Sequence, residues 1–230
     1  MSASGRLSPL LAATLIQLPT GTIDVAPGPS GSIYVVRLAS PAVVVIDSTG
    51  AVTGEIDVPG MGIPGGIDVA SDGSLAISDA AAGIIVVVGP EGTVRRTLAS
   101  PGSPGPVAWA GTSIWYASLD LGVVAEAGTG VVIVETGLPA GSLDVRGREG
   151  LLGSDGACIR FSSTDGVTDT IYARSACFAG DAVLVLAGGE VGFDSSSTPV
   201  ADSLESFARV LWIPWSGPAV FSRERGLLRL

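Results

Sequence analysis

Three aspartates stand at the same place in a short recurring motif. Asp24 lies in Gly-Thr-Ile-Asp-Val, Asp68 in Gly-Gly-Ile-Asp-Val and Asp144 in Gly-Ser-Leu-Asp-Val. If the strands that carry the motif converge, their carboxylates offer a site for a hard cation such as Ca²⁺, which takes about six to eight oxygen ligands. Ala108 and Cys177 hold this position in other copies, so the ring of carboxylates is incomplete. We favour the alternative, in which each Asp is structural and accepts hydrogen bonds from neighbouring backbone N–H groups.

The residue types that are absent restrict the remaining chemistry. The chain contains no histidine, its basic residues are all arginine, asparagine is missing and Gln17 is the single glutamine. Serine nucleophiles therefore lack both an imidazole and a lysine base. The glycine-rich turns precede strands and not helices, which excludes phosphate-binding loops. We expect no catalytic residues and no cofactor, with a carboxylate-bound metal in a hydrolase or lactonase as the alternative.

Two further groups of residues offer contacts to a partner. One is an aromatic cluster around Pro214, and the other is the polar stretch 192–207, which we expect to protrude as a loop. The candidate contact residues are Trp212, Trp215, Phe221, Asp194, Ser195 and Ser196. Four acidic residues that follow apolar runs predict either an acidic rim or, as we prefer, solvated turn residues. These are Asp79, Asp120, Asp155 and Glu190.

The elements that position these residues repeat about every 40 residues. Each copy has the glycine-led motif, a turn, a second apolar run and then an outer pair of strands joined by Gly, Pro or Asp-Gly turns. This pattern predicts an all-β, six-bladed β-propeller in a single domain, and a β-sandwich or jelly roll is the alternative. The predicted blades lie near 21–59, 65–101, 105–139, 141–173, 175–213, and 217–230 together with 5–19.

The last blade is predicted to close the ring. Gly217-Pro218-Ala219-Val220-Phe221 matches Gly105-Pro106-Val107-Ala108-Trp109, which predicts an innermost strand at 217 and a second strand at 226–230. Residues 11–18 match an outermost strand, so N-terminal outer strands and C-terminal inner strands would share one blade. Such closure leaves no unpaired sheet edges at the seam.

Blade two carries a family resemblance. Gly66-Ile67-Asp68-Val69, Gly73-Ser74-Leu75-Ala76-Ile77-Ser78-Asp79 and Gly83-Ile84-Ile85-Val86-Val87 together resemble an NHL-type repeat. The chain is thus similar to six-bladed NHL-like and gluconolactonase-like propellers. That resemblance implies a channel metal held by Glu, Asn and Asp, or channel histidines as in paraoxonase-like hydrolases. This chain has neither Asn nor His, so these ligand sets cannot be carried over.

The net charge of the chain disfavours some classes of partner, and its composition indicates the kind of genome that encodes it. The formal net charge is −10, which disfavours nucleic acid and anionic membrane surfaces as partners. The joint absence of Lys and Asn indicates a GC-rich genome, and no apolar run reaches the ~20 residues of a membrane span. We expect a virion or cytoplasmic location and not a secreted protein. The interpretation is a structural or interaction propeller that binds protein or glycan, as a bacteriophage tail or tail-tip component.

Overall fold

The structure is a computed structural model that describes residues 14–38, 40–154, 156–173, 175–187, 190–194, 209–214, 216–223 and 226–230. It contains six small antiparallel sheets arranged in a ring, which is a six-bladed β-propeller. The predicted fold class is confirmed. The single described helical element is a short 3₁₀ turn at Pro29–Gly31. No helix among the described residues is long and apolar enough to cross a membrane.

The strands follow one another from the channel outward within each blade. The described chain begins with β1 (Thr14–Ile16), which belongs to the last blade. Blade one contains β2 (Thr22–Pro27), β3 (Ile33–Arg37), β4 (Ala42–Ile46) and β5 (Val52–Asp57). Blade two contains β6 (Pro64–Val69), β7 (Leu75–Asp79), β8 (Ile84–Val88) and β9 (Val94–Ala99). Blade three contains β10 (Pro104–Ala110), β11 (Ser113–Ser118), β12 (Val123–Glu126) and β13 (Val132–Glu135).

The remaining blades complete the ring. Blade four contains β14 (Ser142–Arg146), β15 (Glu149–Ser154), β16 (Ala157–Ser162) and β17 (Gly166–Ile171). Blade five contains β18 (Ser175–Ala179), β19 (Ala182–Ala187) and β20 (Glu190–Phe193). Blade six contains β21 (Arg209–Ile213), β22 (Gly217–Ser222) and β23 (Gly226–Arg229), and β1 pairs with the outer side of β23.

Blade six differs from the predicted assignment by one strand. Gly217–Ser222 was expected innermost, but it is the second strand, because it pairs with Arg209–Ile213 on one side and Gly226–Arg229 on the other. Blade six is therefore described with three C-terminal strands and one N-terminal strand. The sequence had predicted two C-terminal inner strands and two N-terminal outer strands. The inner strand escaped detection because Arg-Val-Leu-Trp-Ile lacks the glycine and aspartate that mark the inner strands of blades one, two and four.

Apolar side chains between neighbouring sheets form the cores of the molecule. Strand β7 is buried along its whole length, whereas the outermost strand β9 is mostly exposed, so the outer rim is the least buried part of the blade. Neighbouring inner strands approach closely at Gly66, where a Cβ would lie 2.9 Å from the Cα of Pro106. Gly65 and Gly66 therefore provide room for the inner strand of blade three.

Candidate functional site

The three motif aspartates lie on inner strands and reach across to a neighbouring blade. Asp68 Oδ2 accepts a hydrogen bond of 2.8 Å from the backbone N–H of Trp109 in blade three. Asp144 Oδ2 accepts one of 2.6 Å from Phe178 in blade five. These two contacts are equivalent. Ala108 and Cys177 hold the position of the motif aspartate in blades three and five, and each carboxylate accepts the N–H of the residue that follows. Each aspartate therefore fastens its blade to the next one.

Asp24 makes contacts on both sides of its blade. Its Oδ2 accepts a hydrogen bond of 3.1 Å from the backbone N–H of Ile67 in blade two. Its Oδ1 accepts a hydrogen bond from the guanidinium of Arg209, which lies at the start of the inner strand of blade six. Both side chains are largely buried, so the pair is shielded from solvent. Asp24 thereby links blades six, one and two.

The charges in the channel affect one another. Burial raises the pKa of Asp68 to about 7, against the opposing effect of the hydrogen bond from Trp109. Burial likewise raises the pKa of Asp144, although the N–H of Phe178 and the charge of Arg209 favour its ionised form. Burial disfavours the charged form of Arg209, but the Asp24 carboxylate overcomes this and raises the pKa of the guanidinium. The channel thus holds three carboxyl groups and one guanidinium, and burial disfavours the ionised form of two of the carboxyl groups, Asp68 and Asp144.

A cavity of about 120 Å³ lies along the inner strands. Its walls include two of the aspartates, the arginine, a thiol and two aromatic rings. These residues are Asp68, Asp144, Arg209, Cys177, Phe178 and Trp212. A water molecule occupies about 30 Å³ in the liquid, so the cavity has room for about four. Sites for drug-sized ligands measure about 300–1,000 Å³. The cavity suits water or one small group.

The family resemblance implies a channel metal, and the carboxylate oxygens of the three motif aspartates are the atoms available to bind it. The described residues contain no group of three or more His, Cys, Asp or Glu side chains that could hold a metal ion. Both oxygens of Asp24 already accept hydrogen bonds, one of them from a cation. Asp68 Oδ2 accepts the N–H of Trp109, and Asp144 accepts a backbone N–H at each oxygen, from Phe178 at Oδ2 and from Val145 at Oδ1. These carboxylates do not fit a metal site of the gluconolactonase type, because their oxygens serve the blade contacts.

The candidate contact residues fall in different environments. Trp212 is half-buried on β21 and lines the cavity, and Phe221 is buried within blade six. Asp194 is exposed in the turn after β20. Ser195, Ser196 and Trp215 lie outside the described residues. Of the three that the structure describes, Asp194 alone is exposed.

The acidic residues after second strands have mainly structural contacts. Asp79 is buried at the end of β7 and accepts four backbone N–H groups, from Gly62, Ile63, Ala81 and Ala82. Burial tends to raise the pKa of Asp79, but these hydrogen bonds together hold it below its ordinary value.

Two of the other three acidic residues lie in the part of the chain that the structure describes, and both are exposed. Asp120 accepts hydrogen bonds from the N–H of Ser103 and the hydroxyl of Ser118, which lower its pKa. Glu190 is exposed on β20, and Asp155 lies outside the described residues.

Sequence reasoning missed two participants in the channel. Arg209 precedes an apolar run that resembled an outer strand, so nothing marked it as a channel residue. The hydroxyls of Ser142 and Ser175 lie 3.3 Å apart, and Ser175 Oγ accepts the N–H of Val210. These contacts connect blades four, five and six. The recurrence of serine two residues before Cys177 and Asp144 was a usable signal for them.

Comparisons with known proteins identify the fold alone. No protein-family model matches the chain, and no curated protein matches its sequence. Among solved structures, a streptogramin B lyase superimposes with a TM-score of 0.66 at 11% identity, covering 94% of this chain and 85% of the lyase. Virginiamycin B lyase from Staphylococcus aureus gives 0.64 at 13% identity, covering 94% and 86%. BBS1N, in complex with ARL6DN, gives 0.64 at 13% identity, covering 92% and 77%. At these identities the likeness demonstrates a shared propeller fold.

Proposed function

We propose that this propeller is a non-catalytic structural or interaction module that presents its loops to a protein or glycan partner. The observation that carries the proposal is the use of the channel carboxylates. Asp24, Asp68 and Asp144 accept backbone N–H groups of neighbouring blades, and Asp24 also pairs with Arg209. The carboxylates that the family resemblance would assign to a channel metal therefore serve contacts between blades.

Two further observations support this proposal. The cavity of about 120 Å³ is small for an organic substrate. In addition, one propeller of similar fold, BBS1N, was solved in complex with another protein. The other two similar structures are lyases, so the fold itself is compatible with both uses.

More specifically, we propose that the protein is part of a bacteriophage particle, in the tail or tail tip. The absence of Lys and Asn favours a GC-rich source, such as an actinobacterium or one of its viruses. Buried polar contacts join the inner strands of neighbouring blades, and such a disc would resist deformation inside an assembly.

The test is isolation of the native assembly. An affinity-tagged copy is expressed in its natural genetic background, and the purified material is sized and examined by quantitative mass spectrometry and electron microscopy. We expect a stoichiometric partner and co-sedimentation with particles. A protein that remains monomeric in its native background would contradict the proposal. A stoichiometric complex without particles would support an interaction module and contradict the virion assignment.

The alternative is a metal-dependent hydrolase or lactonase. The observation that favours it is that Asp68 and Asp144 line the same cavity. The discriminating measurement is hydrolysis of aryl esters and lactones with and without added Ca²⁺, Mg²⁺ or Mn²⁺. We expect no turnover above the uncatalysed rate. Metal-dependent turnover that is lost in Asp68→Asn and Asp144→Asn would establish the enzyme instead.

A further inference from the structure

Two carboxyl groups of the channel stand apart from its ion pair. Arg209 pairs with Asp24. Asp68 and Asp144 take part in no ion pair within the described part of the chain, although both line the cavity of about 120 Å³. An ionised carboxyl group withdrawn from water is costly unless hydrogen bonds or a cation compensate it. A cation bound in this cavity would therefore be stabilised by both groups.

The walls of the cavity indicate which kind of cation fits. A hard metal ion requires several free oxygen ligands, but Asp68 and Asp144 already accept backbone N–H groups. Much of the remaining lining is apolar or aromatic, namely Pro27, Leu143, Ala176, Phe178, Leu211 and Trp212. The faces of aromatic rings attract organic ammonium groups. A small apolar body with a positively charged head matches this lining better than a hydrated metal ion.

A buried thiol adds a polar atom to the same lining. Cys177 is 4% exposed, and its thiol makes no hydrogen bond among the residues that the structure describes. Burial and the charge of Asp144 raise the pKa of this thiol, which keeps the sulfur neutral. A neutral sulfur is a weak acceptor, so it can receive an N–H from an occupant. The other cysteine, Cys158, lies outside the cavity and donates to the carbonyl oxygen of Ala173 at 3.5 Å.

The size of the cavity limits the occupant. The volume has room for about four water molecules, which corresponds to an occupant with a few non-hydrogen atoms. The cavity is partly open, and Asp68, Asp144 and Trp212 each keep some exposed surface. The end of an alkylammonium group can therefore enter while the rest of a larger molecule stays outside.

We propose that the channel cavity binds one alkylammonium group, with Asp68 and Asp144 as its charge partners and Cys177 as a further acceptor. The proposal goes beyond the function proposed above, because it names a ligand site inside the ring. Two sources offer the same chemistry, a free small amine and the lysine side chain of a partner protein. This chain contains no lysine, so a second copy of it is not the source of such a side chain.

The first experiment measures binding of the simplest probe, methylammonium chloride. It is titrated into the nitrogen-15-labelled protein at pH 8, with methanol and sodium chloride as controls. We expect saturable NMR shifts of the Trp109 and Phe178 amides, which donate to Asp68 and Asp144. Absence of saturable shifts would overturn the proposal. Sodium chloride or methanol acting with the same midpoint would overturn it as well, since the effect would then be unrelated to an ammonium group.

Substitutions test the two charge partners. Asp68→Asn and Asp144→Asn remove a charge with little change in shape, and each should weaken methylammonium binding at least tenfold. Asp72→Asn is the matched control, because Asp72 is exposed in the turn between β6 and β7 and bonds to Ser74. Its affinity should stay that of wild type. Equal weakening in all three variants, or unchanged binding in both cavity variants, would refute the proposal.

Wild-type protein provides a check that requires no variant. Burial raises the pKa of Asp68 to about 7 and also raises the pKa of Asp144. Lowering the pH from 8 to 5 protonates Asp68, so methylammonium should bind at least tenfold more weakly at pH 5. The other titratable or charged groups that face this pair are Asp24, Arg146, Cys177 and Arg209. Equal affinity at both pH values would contradict the assignment of Asp68 as a charge partner.

A lysine peptide decides between the two sources. Acetyl-Gly-Lys-Gly-amide is compared with the same peptide acetylated on the lysine side chain. Binding of the lysine peptide at least as tight as that of methylammonium, and lost on acetylation, assigns the cavity to a lysine of a partner. Methylammonium binding with at least tenfold weaker binding of the peptide assigns it to a free amine. If neither binds, the proposal fails, whereas isolation of the native assembly tests the interaction function separately.

Discussion

Arg209 and Asp24 form an ion pair across the seam of the ring, although 185 residues separate them in sequence. The second carboxylate oxygen of Asp24 accepts a hydrogen bond from the backbone N–H of Ile67 in blade two. The seam is therefore joined at several places, since Arg223 and Arg229 also donate hydrogen bonds to the carbonyl oxygens of Ile23 and Ser48 in blade one. The β1–β23 strand pairing joins it within the sheet of blade six, and the ion pair joins it at the channel.

Replacing Arg209 by Met should strongly destabilise the protein. The substitution keeps much of the volume but leaves the Asp24 carboxylate buried without its partner. Breaking one half of a buried ion pair costs about 3–5 kcal/mol. Urea denaturation should show this loss as a lower transition midpoint with a similar slope.

A double-mutant cycle gives the matched control for that result. Asp24→Asn combined with Arg209→Met should recover more than half of the loss, because no unpaired charge then remains in the channel. Arg95→Met, which breaks the exposed pair with Glu91, should change stability by less than about 1 kcal/mol. Equal losses at the two arginines would mean that burial of the Arg209–Asp24 pair has no energetic consequence.

Stability should depend on pH through Asp68. Its pKa rises from the ordinary value of 3.8 to about 7 in the folded protein. A carboxyl group whose pKa is higher in the folded chain stabilises the fold while it is protonated, and this contribution is lost as the pH rises through the folded pKa. Relative to Asp68→Asn, wild type should therefore lose stability between pH 3.8 and about 7, by at most about 1.4 kcal/mol per pH unit. Parallel curves for the two proteins, measured by urea denaturation across this range, would contradict the assignment.

Asp144→Ala should destabilise the contact between blades four and five. The N–H of Phe178 would lose its acceptor in a buried position, which costs about 1–3 kcal/mol. Asp144→Asn keeps a carbonyl oxygen there and should lose clearly less. Hydrogen exchange provides the local measurement, because the Phe178 amide should lose protection in the alanine variant first. An unchanged Phe178 exchange rate in Asp144→Ala would show that this hydrogen bond does not hold the blades together.

Gly150→Ala should disturb the packing of blade four. The ring of Phe161 lies against Gly150, and a Cβ there would come within 2.1 Å of the ring atom Cζ. Because Phe161 is fully buried and packs against Trp115, the ring cannot move without displacing its neighbours. We expect a loss of about 1–3 kcal/mol by calorimetry. Gly54→Ala is the control, since a Cβ at Gly54 meets no atom within 4 Å, and equal effects at both sites would rule out the steric explanation.

The sequence predicted the fold well wherever turn chemistry and the motif agreed. In blades one to four the motif gave the inner strand, and glycine turns gave the hairpins, so predicted and observed strands agree within a few residues. In blade six the inner strand was missed because Arg209–Ile213 carries an arginine in place of the motif. The N-terminal outer strand of the same blade was predicted from the match of residues 11–18, and the pairing of β1 with β23 confirms it.

The candidate site was predicted in position but not in role. That Asp24, Asp68 and Asp144 lie on channel strands followed from their register. Whether their oxygens would bind a cation or a backbone N–H depended on how closely the next strand approaches, which glycines such as Gly66 determine. Arg209 could not be anticipated, since its pairing with Asp24 exists only after the ring has closed.

The pairing of β1 with β23 also determines how the molecule would respond to force. The two strands are antiparallel, and Thr14 lies opposite Arg229, so the places where the chain leaves this pair are side by side. Tension applied through these two points would pull the strands apart like a zipper and load their hydrogen bonds one after another. Shearing, which loads all bonds at once, would require pulling from opposite ends of the strands. Blade six is therefore the expected first point of mechanical opening, and its side-chain contacts to blade one, from Arg229, Arg223 and Arg209, would then bear the load.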